Sequence, residues 1–496
     1  MSAKTQTSDK KALSRRTFLT SMMVALAATG CSAVIDNQTQ PSLPDTLQPP
    51  SGVNRHPIAH LLNRATFGPR PGQIEAVTQQ GREAWIEQQL NYRDIDDTAL
   101  DLRLRRYDTL GMYPRDLIGF FGETNRRYVR DELAVATLMR AVYSNRQLYE
   151  VMVGFWSDHF SIHHFKDTTA NLKTVDDRDV IRPHALGKFS DMLRASAHSP
   201  AMLIYLDNVR NTADMLNENY AREIMELHTL GVDNGYTEAD IPEVAKCFTG
   251  WTVTDRGEFT FRPEWHIDGE KYVLGEVIQS DDPKQEGERV LEILSHHPNT
   301  VRYVSTKLVR RFVSDEPPES IISACVDTWT TTDGDIQAIV RTILTHPEFD
   351  NADLKLKRPF ELVTSLLRVT NANYSGNRGL VQQLESMGHR PFGWTTPDGY
   401  PDTAIEWTGN MLNRWNVCLD AFSGNLSGVS VNINALRESS QTEEQAELIR
   451  FFGRLFLKRD LTPNDETALS EFMRNADDDL ALTLGLMSAS PAFQWR

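Results

Sequence analysis

Cysteine is scarce: the 496 residues hold four, at positions 31, 247, 325 and 418. Their wide spacing excludes a disulfide framework and any cysteine-based zinc cluster. Positive charge is also short, with 52 lysines and arginines against 68 acids and a net charge of −16. Lys4, Lys10, Lys11, Arg15 and Arg16 against Asp9 give the first thirty residues +4, which leaves −20 for the rest. So acidic a body argues against nucleic acid as a partner and against broad docking on anionic lipid. There is no glycine-rich phosphate loop, no G-x-S-x-G elbow and no Cys/His nucleophile pair, which disfavours nucleotide-dependent and serine-hydrolase mechanisms.

The N-terminus carries the sharpest pattern. "SRRTFLTSMMVALAATGC" sets Arg15-Arg16 before an apolar run, 18–30, too short to span a bilayer comfortably. It resembles a bacterial twin-arginine export signal ending in a lipoprotein cleavage box, with Cys31 as the lipidated residue and Ala28 where such boxes usually carry leucine. Residues 1–31 are therefore expected to be a signal, and Ser32 in place of aspartate favours passage to the outer membrane over retention. The expected address is the periplasm or outer membrane, with Cys31 the only membrane attachment.

Residues 32–56 are rich in Pro, Ser, Gln and Thr and read as a disordered tether. From 57 to 496 the periodicity is mainly helical, recurring in 129–153, 178–197, 287–297, 301–313, 334–346, 356–370, 403–422 and 444–457. The one convincing β patch is "WTVTDRGEFTFRPEWHIDGEKYVLG", with Arg256-Gly257 as its turn. The fold class expected is mainly α: one large helical domain with a small β-hairpin insertion.

Eight stretches, in order along nearly the whole mature chain, carry a resemblance. They are "HLLNRATFGPRPGQI", "FWSDHF", "IRPHALGKFSDML", "NENYAREIMELHTLGV", "FTGWT", "HIDGEKYVLG", "HPNTVRYVSTKLVRRFVSD" and "SPAFQWR". Together they resemble the bacterial family catalogued as domain of unknown function 1800. The resemblance implies an envelope or secreted location and a co-exported partner of alkaline-phosphatase-like fold; it supplies no activity.

Three constellations are candidates for chemistry. In "FWSDHFSIHH", helical spacing puts Met152, Phe155, Trp156, His159 and His163 on one side, and His159 and His163, at i and i+4, could share a metal. The plainer reading makes His159 a core histidine bonded to a carbonyl or carboxylate. In "NENYAREIMELHTLG", Leu216, Tyr220, Ile224 and Leu227 form the apolar stripe, bordered by Asn219, Glu223 and Glu226. The two glutamates suit acid–base work, or else an arginine partner; Glu218 is expected to pair with Arg222. In "WHIDGEKYVLG", His266 and Asp268 alternate on one strand face and could join a metal set with His159, His163 and Glu223, or simply lie on a solvated turn. His184, His198 and His297 stand at helix boundaries and read as caps.

A second resemblance is to animal-type haem peroxidases, through Asp158-His159 after Phe155-Trp156, then Glu218 and "LHTL". The distal arginine has no counterpart at the right spacing, and the "REHN" after "LHTL" is absent. The leading expectation is a cofactor-bearing envelope enzyme, on a divalent metal rather than haem, with Glu223 and Glu226 catalytic. The competing one is a non-catalytic assembly or binding protein for a surface polymer or a co-exported partner.

Overall fold

The computed structural model describes residues 32–52, 55–119, 122–166 and 169–496. The expected signal, with Arg15, Arg16 and Cys31, lies outside the described residues. Helices dominate, and strand among the described residues is confined to three two-stranded antiparallel pairs. No helix among those residues is long and apolar enough to cross a membrane.

The expected hairpin at Arg256-Gly257 forms, pairing Trp251–Val253 with Phe259–Phe261 across a turn where Gly257 takes φ +74°. The rest of the patch is a separate pair, Lys271–Val273 with Glu276–Ile278. A third pair, Asn373–Tyr374 with Val429–Ser430, is two residues long and leaves no alternation to read.

One expected helix, 129–153, is two: Glu123–Tyr143 and Gln147–His159. Ser144 leaves the helix at ψ 140°, and the buried Asp97 carboxylate takes up the break, accepting from the Ser144 hydroxyl at 2.6 Å and the Asn145 N–H at 2.7 Å. A partner 47 residues away does the capping, so no local breaker marks the site.

Residues 32–52 and 55–56 correct the tether. Residues 32–38 are helical, and Asp36 is buried against Arg103 at 3.2 Å and beside Arg106. Leu47 is buried in the main core, and Gly52 N–H donates to Asp460 at 2.6 Å. Composition suits a free linker, but one buried acid with two arginine partners and one leucine seat this segment on the body.

The helix Pro359–Val369 runs through the centre with all eleven residues buried. Its Glu361 meets three guanidiniums: Arg311, Arg496 at 3.0 Å and Arg358 at 3.4 Å, and it also accepts the Arg358 N–H at 2.9 Å. Burial would raise this carboxyl, yet the three cations outweigh it and hold its pKa well below the ordinary value. Glu361→Gln leaves those guanidiniums without their shared counter-charge. It should cost about 3–5 kcal/mol in urea unfolding; a loss below about 1 kcal/mol, typical of exposed pairs, would remove Glu361 from this role.

Candidate functional site

Beside Glu361 opens a cleft of about 240 Å³. Three elements and one loop build it. Helix Gln147–His159 contributes Phe155, Asp158 and His159 at its C-terminal end; helix Pro298–Phe312 contributes Lys307, Arg310 and Arg311; Arg358 stands just before the central helix; and the loop 398–403 closes over them. The loop can seat this closely because Gly399 has φ +76° and no side chain; a Cβ there would overlap the Asp158 carbonyl.

Most charges in this wall are partnered. Asp158 binds Arg358 at 2.9 Å, and burial still pushes its carboxyl up despite that arginine. Asp402 lies 3.7 Å from Arg311 and 3.8 Å from Lys355, while Lys355 also binds Asp315 at 2.5 Å. Asp398 accepts from Trp394 Nε1 at 2.9 Å and Thr396 Oγ1 at 2.5 Å. The Tyr400 hydroxyl donates to the Arg390 carbonyl at 2.7 Å, so only its ring is offered to the cleft.

Two cations are the exceptions. Among the described residues neither Lys307 nor Arg310 has a carboxylate within ion-pair distance. Arg310 Nε donates to the Asp315 carbonyl at 3.2 Å. The Lys307 ammonium lies 5.5 Å from the centre of the Tyr303 ring, a weak cation–π contact. Burial lowers its pKa to about 8, Asp158 pulling the other way and Arg310 adding to the fall.

His159 lies in the wall and is buried among Phe155, Trp156, Phe160 and Phe189. Its Nε2 sits 3.0 Å from the His228 carbonyl, so that nitrogen carries the proton and donates. The carbonyl is free because residues 224–229 form a π-helical turn that ends at Gly231, φ +96°. Among the described residues Nδ1 is buried without a hydrogen-bond partner, and burial followed by the nearby Lys307 charge holds the imidazole neutral.

The remaining expected site residues do not converge. Helix Gln147–His159 ends at His159, with Phe160 leaving helical dihedrals (ψ 58°), so His163 lies in the following loop against Phe165 and the i, i+4 geometry is lost. The π turn adds a residue to the "NENYAREIMELHTLG" register, so His228 enters the core and Leu227 is only half-buried. Glu223 is half-buried and shares no hydrogen bond with His159; burial, then Glu226, raises its pKa, and Asp398 at the cleft contributes. Glu226 is taken up by Arg222 at 3.2 Å and the Tyr236 hydroxyl at 2.8 Å. Arg222 binds Glu226 and Glu238, leaving Glu218 exposed rather than paired with it. His266 is buried between Thr249 and Glu286, with Lys271 alongside, whereas Asp268 is exposed.

Among the described residues no three His, Cys, Asp or Glu side chains form a group that could hold a metal ion. A haem fits no better: one nitrogen of His159 is committed to a carbonyl and the other is buried in aromatic packing. His297 is the cap it was expected to be, accepting the Asn299 N–H at 3.1 Å.

A family model described as "Protein of unknown function (DUF1800)" matches residues 60–495. The chain belongs to this family. No curated protein and no solved structure matches it significantly. The DUF1800 match spans every element of the cleft, whose key residues sequence reading missed. Lys307, Arg310 and Arg311 pass for a solvated helix face, although Arg311 stands at i+7 from Val304 and i+3 from Leu308, on the buried stripe. That misplaced arginine was the available signal.

Lys307 gives the first test of the cleft's electrostatics. A lysine whose folded pKa lies below its unfolded value binds fewer protons when folded, so stability rises as pH climbs from about 8 to the unfolded value near 10.4. Lys307→Met removes a charge that is costly at neutral pH. It should raise stability at pH 7 by on the order of 1–3 kcal/mol and flatten that rise. A destabilised variant at pH 7 would mean that the ammonium is well paired.

Proposed function

We propose that this DUF1800 protein is an exported, lipid-tethered envelope protein whose Lys307 cleft takes an anionic group of its ligand: a carboxylate, phosphate or sulfate borne on a surface polymer. The observation that carries the reading is the pair of cations, Lys307 and Arg310, left without acids in a cleft whose own carboxylates are already engaged. A body at −20 repels anions at long range, so an acidic ligand must be held by charge local to the cleft. About 240 Å³ admits one such group with part of its sugar ring, given roughly 30 Å³ per displaced water. The polymer-binding alternative is thus favoured over the metal- or haem-dependent enzyme, whose ligands are not brought together.

The envelope address rests on Arg15-Arg16, on Cys31 and on the family resemblance. A co-exported partner of alkaline-phosphatase-like fold belongs to the same reading.

Titration calorimetry with uronate oligosaccharides, phosphate and sulfate tests the cleft. Each charge-assisted hydrogen bond contributes about 1.5–3 kcal/mol, so Lys307→Gln with Arg310→Gln should weaken the tightest binder at least about tenfold. Equal affinity in the double variant would move the ligand elsewhere. For the address, Cys31→Ser should release the protein from the membrane fraction; an unchanged fraction would remove lipidation.

A further inference from the structure

We propose that Lys307 is a carbonyl-capturing amine: its Nζ condenses with an aldehyde or ketone that also bears an acidic group, the acid being held by Arg310. The proposal rests on the anion-binding reading of the same cleft and adds a covalent step to it.

The first support is how this fold treats its other buried lysines. Lys173 is held by Asp176 at 2.6 Å, Lys271 by Glu286 and Lys355 by Asp315 at 2.5 Å. Lys357, buried without an acid, packs its ammonium 3.7 Å over the Phe493 ring. Among the described residues Lys307 has neither device and borders open space, with only a distant contact to Tyr303; Lys458, which also lacks an acid and lines a pocket, donates its ammonium to the Leu455 carbonyl.

The second support is chemical. Imine formation needs a neutral amine, shelter from bulk water and a carboxyl that can relay protons. With a pKa of about 8, roughly a quarter of Lys307 is neutral at pH 7.5, against about one part in a thousand for a free lysine. Burial is the main cause of that state; of the charges facing it Arg310 adds to the fall, while Asp158, Asp398 and Asp402 oppose it, and the buried His159 and His228 are neutral. Asp158 is first among the acids acting on Lys307, and its burial-raised carboxyl suits the relay.

The step balances without an oxidant. The amine lone pair attacks the carbonyl carbon, and a proton passes from nitrogen to the former carbonyl oxygen to give a carbinolamine. That oxygen, protonated through Asp158, then leaves as water while the C=N bond forms. The net change is amine plus carbonyl to imine plus water.

The experiment uses the full chain, pyruvate as the carbonyl acid and cyanoborohydride to reduce the imine to a stable carboxyethyl-lysine, read by peptide mass spectrometry at pH 7.5. Lys307 should be modified at least tenfold faster than the median of the other lysines, and inorganic phosphate should slow it. Lys307→Arg should abolish the fast modification, with cooperative melting as the check on folding. Modification of Lys307 no faster than that of exposed lysines, in protein that still binds anions, overturns the amine proposal and leaves the anion reading standing. Fast modification that phosphate does not slow supports the amine chemistry and removes the anion reading instead.

Discussion

Glu361 is a carboxylate set among three arginines inside a helix that has no exposed face. That arrangement stands only if each partner stays in place, because a lone buried charge costs several kcal/mol while a satisfied cluster offsets its own desolvation. To reach Glu361, Arg311 must turn inward from the helix Pro298–Phe312, which fixes that helix's rotation. Lys307, one turn earlier, and Arg310 then look into the space beside the core rather than out to solvent. Arg358, anchored on the same acid, reaches across to Asp158 at the end of the next helix. The cleft is thus a by-product of how the central charge is satisfied.

The same geometry explains why the cleft is short of acids. Asp158, Asp398 and Asp402 are present, but each is taken by a cation or by fixed donors. What remains is a small cleft in which two positive groups, Lys307 and Arg310, have no carboxylate within ion-pair distance among the described residues. On a strongly acidic protein such a space selects by local field rather than by steering.

Helical periodicity was readable because amphipathic stripes recur along most of the chain, and the hairpin at Arg256-Gly257 was readable from alternation around a glycine turn. The break at Ser144 was not, since Asp97 supplies it from a distance; nor was the docking of 32–56, which hangs on Asp36 and Leu47. At the site, the sequence led to the expectation that an imidazole among aromatics has a partner. The partner is a backbone carbonyl exposed by a π turn, and a pattern of 3.6 residues contains no sign of that extra residue. Lys307 was invisible because a lysine on an amphipathic helix normally belongs to solvent, and only the neighbouring buried arginine says otherwise.

The chemistry of the cleft turns on the charge state of Lys307. Titrating the Nζ resonance of lysine-15N-labelled protein by NMR, assigned with Lys307→Arg, measures it without any ligand. A midpoint at about 8 is the result that an unpaired, half-buried ammonium requires. A midpoint near the ordinary lysine value of about 10.4 would show that solvent or an acid compensates the charge, and it would contradict the cleft's electrostatics.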